Sequence, residues 1–258
     1  MDRRHHGPAP AVSRPLALVT GSHRRLGGHI AVRLAQAGYD VALHASRPGE
    51  PDPVVIRGIG GARYESFVAD LADPAAVAAL VPAVADRFGR RVDLLVNNAS
   101  CFRADDDSYP APESLTAHFA VNAAAPFVLA TALAGQGGAA VVNILDQRIA
   151  HPHRDQLAYT LSKQALAEAT RTLALALAPS VRVNGVAPGL TIATEDYDAE
   201  QLERLAAMMP LERLPSPDQV ADAVLFLAGA TASTGQMLFV DGGAGLVRFE
   251  RDFVHLGR

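Results

Sequence analysis

Tyr159 and Lys163 stand four residues apart in the longest uninterrupted helical pattern of the chain, residues 157–178. At that spacing their side chains share one helix face, a turn apart. A free tyrosine titrates near ~10 and is a poor acid–base group at neutral pH. A lysine ammonium within several ångströms favours the phenolate and lowers that value, which lets such a pair pass a proton to a substrate. Alone, the two residues describe an unrelated, exposed helix face at least as well. They gain weight from Asp146, thirteen residues upstream at the end of an apolar strand pattern, and from Asn97-Asn98-Ala99-Ser100, which closes another.

The elements that must position these groups begin at LALVTGSHRRLGGHI, residues 16–30. Leu16 to Val19 form a continuous apolar run, as expected of a parallel strand covered on both faces. Gly21 permits a tight turn, and Gly27 and Gly28 remove side chains where a following helix packs close. Strand, glycine turn and helix N-terminus together make an anion site, because unpaired backbone N–H groups face the crevice. Arg25 occupies the place where a nucleotide loop more often carries its middle glycine.

Further strands are expected at 40–45, 64–69, 92–96, 139–145, 181–186 and 237–240, and helices at 28–37, 74–88, 114–134 (bent near Pro126) and 157–178. Pro48, Pro51 and Pro53 mark a short irregular connection. The alternation implies right-handed crossovers and a parallel sheet with helices on both faces. The expectation is a single α/β Rossmann-type doubly wound domain, a seven-stranded parallel sheet over 15–258, after a flexible tail at 1–14. A substrate loop is expected at about 190–212.

Composition narrows the partners. Net charge is −4 and Cys101 is the single cysteine, so the chain reads as having no nucleic-acid partner, no internal disulfide and no cysteine metal cluster. No uninterrupted apolar run approaches the roughly 20 residues that span a bilayer, and the first residues lack the apolar core of a secretory signal. A cytoplasmic protein with no membrane partner is expected.

Taken with Thr20-Gly21 and Pro188-Gly189, these landmarks resemble the short-chain dehydrogenase/reductase family from about Leu16 to Gly243, in order and in register. The resemblance implies that Tyr159 is the catalytic acid, that Lys163 holds the nicotinamide ribose and tunes Tyr159, and that Asn122 stabilises the lysine through a proton relay. It implies cofactor contacts at Gly21, Arg24, Arg25, Leu26, Leu71, Asn98, Ala99 and Ser100, adenine contact at Asp70, support of the fourth strand by Asn97, and nicotinamide contact along the Pro188, Gly189, Leu190, Thr191 turn. Two departures, Arg25 and Asp146 where most members place serine, recur in the pteridine reductases and dihydromonapterin reductases, which the chain resembles in detail. That branch also matches Thr20 to Gly27 and Asn97 to Phe102. By this resemblance Phe102 stacks on a pterin ring, Ser100 touches cofactor or substrate, Arg25 positions water, and the protein is a homotetramer.

Asp146 carries its own argument. Hydride transfer to a ketone builds alkoxide charge, and a carboxylate ~4 Å away opposes it by roughly 4 kcal/mol at an effective dielectric of 20. A pterin instead presents N–H donors and ends with a proton on nitrogen. For the cofactor, an acidic residue that would hold the ribose 2′-OH of NAD is missing after the second strand. That strand ends His44-Ala45-Ser46-Arg47, so Arg47 and Arg24 are expected to clamp a 2′-phosphate with Ser46 donating, which points to NADPH.

The leading reading is an NADPH-dependent reductase of a pterin or dihydrofolate-type substrate. A carbonyl or imine reductase is the alternative, and a non-catalytic NADPH-binding sensor a third. His151-Pro152-His153 reads as a solvated loop rather than a metal pair, Asp105-Asp106-Asp107 as a surface turn, Cys101 as a small packed side chain, and the tail 248–258 as packing at a subunit interface.

Overall fold

The computed structural model describes residues 14–102 and 110–258. The expected tail therefore lies outside it except for Arg14, and so does Asp105-Asp106-Asp107. Arg14 belongs to the domain, donating to the Ala35 carbonyl at 2.9 Å and pairing with Asp40 at 3.4 Å.

The elements run β1 (Leu16–Val19), α1 (Arg25–Gln36), β2 (Asp40–Ala45), α2 (Pro53–Ile59), β3 (Tyr64–Val68), α3 (Pro74–Phe88) and β4 (Leu94–Asn97). They continue with α4 (Pro112–Phe119), a π-helical turn (Ala120–Ala124), α5 (Ala125–Gly135), β5 (Ala140–Ile144), α6 (Leu157–Ala176), β6 (Arg182–Pro188), α7 (Ala199–Met208), α8 (Pro217–Gly229) and β7 (Met237–Val240). All seven strands are parallel, in the order β3-β2-β1-β4-β5-β6-β7. The order reverses between β1 and β4, and a ligand crevice opens at such a switch point, outside the carboxyl ends of the strands.

Strand alternation divides the core. Ala17 and Val19 face α1 and α8 in one layer with Ile30, Leu34 and Val224, whereas Leu16 and Leu18 face α3 and α5 in the other with Val84, Leu129 and Leu133. All of these are buried, consistent with strands covered on both faces.

Three helices lie where the sequence reading places none. The proline-rich connection contains α2, because Pro53 sits at a helix start, where its missing N–H costs nothing, and Asp52 caps it by accepting from the Val54 N–H at 2.8 Å. The acid-rich loop contains α7, capped by Asp198 and burying Gln201 and Leu205 while its acids face outward. Helix α8 opens with a capping box between Ser216 and Gln219. The run Pro112–Gly135 is long and apolar enough to cross a membrane by length and composition, but the π-turn interrupts it and Ala125, Leu129, Ala130 and Leu133 are core residues.

Candidate active site

The loop after β1 is stitched to neighbouring strands. The Thr20 hydroxyl accepts from the Asn98 and Ala99 N–H groups at 2.9 and 3.0 Å, and the Asn98 amide donates to the Thr20 and Gly21 carbonyls. Gly21 has φ +64°, and a Cβ on Gly27 would lie 2.3 Å from the Gly21 oxygen, so that approach admits only glycine. Arg24 is extended at the N-cap of α1, which has no side-chain cap and no acid in its first turn. Its free N–H groups thus favour an anion in the crevice. Arg25 takes φ +53°, the left-handed conformation that the missing glycine would adopt. Holding it there costs on the order of 1–3 kcal/mol.

His44 ties this loop to the next one. Its Nδ1 accepts from the Gly21 N–H at 3.1 Å while Nε2 donates to the Ala69 carbonyl at 2.9 Å. Burial pushes His44 below its ordinary value, and the neutral ring is the form that accepts from Gly21. His23, also lowered mainly by burial, bonds Ser66 at 2.6 Å. Both histidines line the crevice with Arg24, Arg25, Leu26, Ser46, Asp70 and Leu71. Arg47, next in the chain after Ser46, is exposed at the rim of this region.

At the far end of this cleft of about 1190 Å³, Tyr159 and Lys163 project from α6 toward the end of β5. The Tyr159 hydroxyl donates to Asp146 Oδ2 at 3.0 Å, and Lys163 Nζ donates to the Ile144 carbonyl at 2.8 Å. Burial first, and then the Asp146 carboxylate, hold the Tyr159 phenol well above its ordinary value, while Arg148 opposes them. Tyr159 is therefore kept protonated. Lys163 is lowered to about 8, chiefly by burial, with Asp146 opposing and Arg148 assisting. Of the charged neighbours of Tyr159, Asp146 tightens its proton and Arg148 loosens it.

Asn122, buried in the π-turn, uses its whole amide elsewhere. Oδ1 accepts from the Ser100 hydroxyl at 3.2 Å and the Cys101 N–H at 2.7 Å, and Nδ2 donates to the Cys101 carbonyl at 2.9 Å and Ser162 Oγ at 3.0 Å. It fixes the loop that carries Ser100 to Phe102. Asn97 points into the core, bonding Asn143 at 2.8 Å, which in turn bonds Thr170, so β4, β5 and α6 are joined beneath the site. Phe102, half exposed, meets the Tyr159 ring edge-on at 5.0 Å. Ser100, Pro188, Gly189 and Thr191 line the same cleft.

The sequence reading missed Arg148. It is buried two residues past Asp146, donates to Asp146 Oδ1 at 3.1 Å and pairs with Asp252 at 2.8 Å. Burial opposes its charge, yet Asp146 and Asp252 outweigh burial and hold it protonated. The single available signal was a cation that the run Asp146-Gln147-Arg148 necessarily places beside the carboxylate. The loop 151–155 is not simply solvated. The His153 side chain is buried, 3.8 Å from Asp155 and 3.7 Å from Asp252, and burial with Arg148 lowers its titration. The tail packs on its own chain: Arg251 bonds Asp155 at 2.9 Å, Gln201 donates to the Leu256 carbonyl at 2.7 Å, and Asp252 to His255 line the cleft.

A family model described as enoyl-(acyl carrier protein) reductase matches residues 21–245. A pteridine reductase 1 of Leishmania tarentolae is 34% identical over 91% of this chain and 97% of that protein. A putative ketoacyl reductase 2 of granaticin polyketide synthesis from Streptomyces violaceoruber is 36% identical over 92% and 98%. Among solved structures, FolM alternative dihydrofolate reductase 1 from Brucella canis, complexed with NADP, superposes with a TM-score of 0.85 at 37% identity, covering 93% of this chain and 98% of that one. With the parallel seven-stranded sheet and this cleft, these similarities show that the chain belongs to the short-chain dehydrogenase/reductase superfamily, in the family described as enoyl-(acyl carrier protein) reductase.

Proposed function

We propose that the protein is an NADPH-dependent reductase that converts a dihydropteridine, free or within a dihydrofolate-type molecule, to the tetrahydropteridine. The observation that carries this reading is the pair at the base of the cleft, where the protonated Tyr159 faces an Asp146 carboxylate. A carboxylate there accepts from the 2-amino-4-oxo pyrimidine edge of a pterin, whereas it opposes the alkoxide of a ketone. The pteridine reductase and FolM similarities run in the same direction.

The crevice fits the dinucleotide. The Gly21 carbonyl leaves no room for a Cβ on Gly27, α1 opens on the crevice with N–H groups that no side chain caps, and Ser46-Arg47 rather than an acid follows the end of β2. Gly21, Arg24, Arg25, Leu26, Ser46 and Arg47 would hold the phosphates, Asp70 and Leu71 the adenine, and Asn98, Ala99, Ser100, Lys163, Pro188, Gly189 and Thr191 the nicotinamide half. Bound NADPH supplies the hydride. Lys163 holds the ribose, Tyr159 carries the proton that ends on the ring nitrogen, Asp146 orients both Tyr159 and the substrate's N–H groups, and Phe102 covers the ring.

One observation favours the carbonyl alternative. Arg148 bonds the same carboxylate and weakens its objection to an alkoxide, and the ketoacyl reductase similarity agrees. NADPH consumption with dihydrobiopterin, dihydromonapterin and dihydrofolate decides between them; if all three fail while simple ketones turn over rapidly, the pterin reading is wrong. The homotetramer belongs to the same proposal, supported by exposed Phe226 on α8, Leu238 and Phe239 on the edge strand β7, and Leu115, Phe119, Phe127 and Leu161 on α4 to α6.

A further inference from the structure

Three directional bonds fix the Arg148 guanidinium. Nε donates to Asp146 Oδ1 at 3.1 Å, Nη1 to Gln156 Oε1 at 2.9 Å, and Nη2 to Asp252 Oδ2 at 2.8 Å, and its carbon lies 4.9 Å from the Tyr159 ring centre. The residue is only 7% exposed. A buried cation with three partners in one plane has one orientation, which only the arginine fork supplies. One partner is the carboxylate that takes the Tyr159 hydrogen bond, and another is a residue 104 positions away on the segment that walls the same cleft. We propose that Arg148 is a positioning residue of the reaction centre: it fixes Asp146 against Tyr159 and, through Asp252, makes that placement depend on the C-terminal segment.

The proposal rests on the reading of Asp146 as the substrate-facing carboxylate. The other charged or titratable groups around this cluster are Tyr159 and Lys163 on α6, His153 and Asp155 in the loop before it, Arg251 bonded to Asp155, Asp196 and Tyr197 ahead of α7, and Asp252. Lys163 is the single lysine of the chain, so carbon-13 lysine labelling reports it alone, with or without turnover.

Wild-type protein is expected to show this resonance titrating at about 8. R148Q removes a cation that lowers Lys163 and keeps the negative charge of Asp146, so the midpoint moves up toward the ordinary lysine value. In the same variant kcat/KM falls on the order of 10²-fold through a misplaced carboxylate, while NADPH binding by fluorescence is retained. The Lys163 midpoint reports that the cation lies beside the lysine; a merely structural role would reduce the active fraction and leave substrate KM where it is. Where R148Q fails to fold, R148K carries the test. It keeps the charge but not the fork, so kcat falls and substrate KM rises while NADPH binding is retained. A folded R148Q with an unmoved Lys163 midpoint, or R148K with wild-type kcat and KM, overturns the proposal. If the wild type reduces no pterin but R148Q still moves the lysine signal, the substrate reading fails and the Arg148 placement stands.

Discussion

Replacing Asp146 with serine separates the two readings of the site by opposite signs. For a pterin, Asp146→Ser removes a charged acceptor facing substrate N–H groups, and a hydrogen bond to a charged group contributes about 1.5–3 kcal/mol. At about 1.36 kcal/mol per decade, kcat/KM for a dihydropterin is expected to fall roughly 10- to 150-fold. For a ketone, the same change removes a charge whose repulsion of an alkoxide is at most about 4 kcal/mol at 4 Å. Arg148, bonded to that carboxylate at 3.1 Å, already offsets part of it, so the ketone rate rises by less than that ceiling allows. The substitution also leaves Arg148 with Asp252 as its remaining buried counter-ion, and breaking a buried pair costs up to about 3–5 kcal/mol. Thermal unfolding and NADPH binding must therefore accompany the kinetics. The assay is kcat/KM for one dihydropterin and one ketone in each protein. Their ratio is expected to shift toward the ketone by at least about tenfold, and an unchanged ratio in a folded, NADPH-binding variant removes Asp146 from the argument.

The remaining expectations follow from particular side chains. Tyr159→Phe deletes the proton held against Asp146 and is expected to abolish nearly all turnover while NADPH binding, followed by fluorescence, changes little; full turnover would contradict the assignment. Arg24 lines the cleft and Arg47 follows Ser46 in the chain, so Arg24→Ala and Arg47→Ala should each weaken NADPH far more than NADH in a titration; equal losses for the two cofactors would refute the 2′-phosphate assignment. His23 and His44 sit below their ordinary value of 6.5 because they are buried. Between those lowered values and 6.5 the unfolded chain binds protons that the folded chain refuses, so stability falls as pH drops through that window. Thermal unfolding across it should show a decreasing midpoint, and a rising one would contradict the neutral His44 that accepts from Gly21.

Much of the fold is legible because its strands are short runs between turn residues, apolar and fully buried in β1 and β5. Leu16 to Val19, Asp40 to Ala45 and Met237 to Val240 are read to the residue, since an apolar run between turn residues leaves little choice. Helix α2 is not legible in that way, because proline marks a helix start and a loop alike, and α7 hides its two buried residues among acids. The local parts of the site, Tyr159 with Lys163 and the glycine loop, follow from spacing. What spacing does not contain is the orientation of Asp146 and its capture by Arg148. That orientation depends on Asp252, more than a hundred residues away, and on a tail whose aromatic and arginine content suits a subunit interface as well as it suits its own cleft. Arg25 shows the converse: a residue that looks like the loss of a glycine keeps a left-handed backbone, so the turn after β1 is retained.

The most direct test of the account is wild-type turnover itself, measured as kcat/KM for NADPH-dependent reduction of dihydrobiopterin, dihydromonapterin and dihydrofolate beside a panel of small ketones. The account predicts that at least one dihydropterin exceeds every ketone. Rapid ketone reduction with no dihydropterin turnover would contradict it.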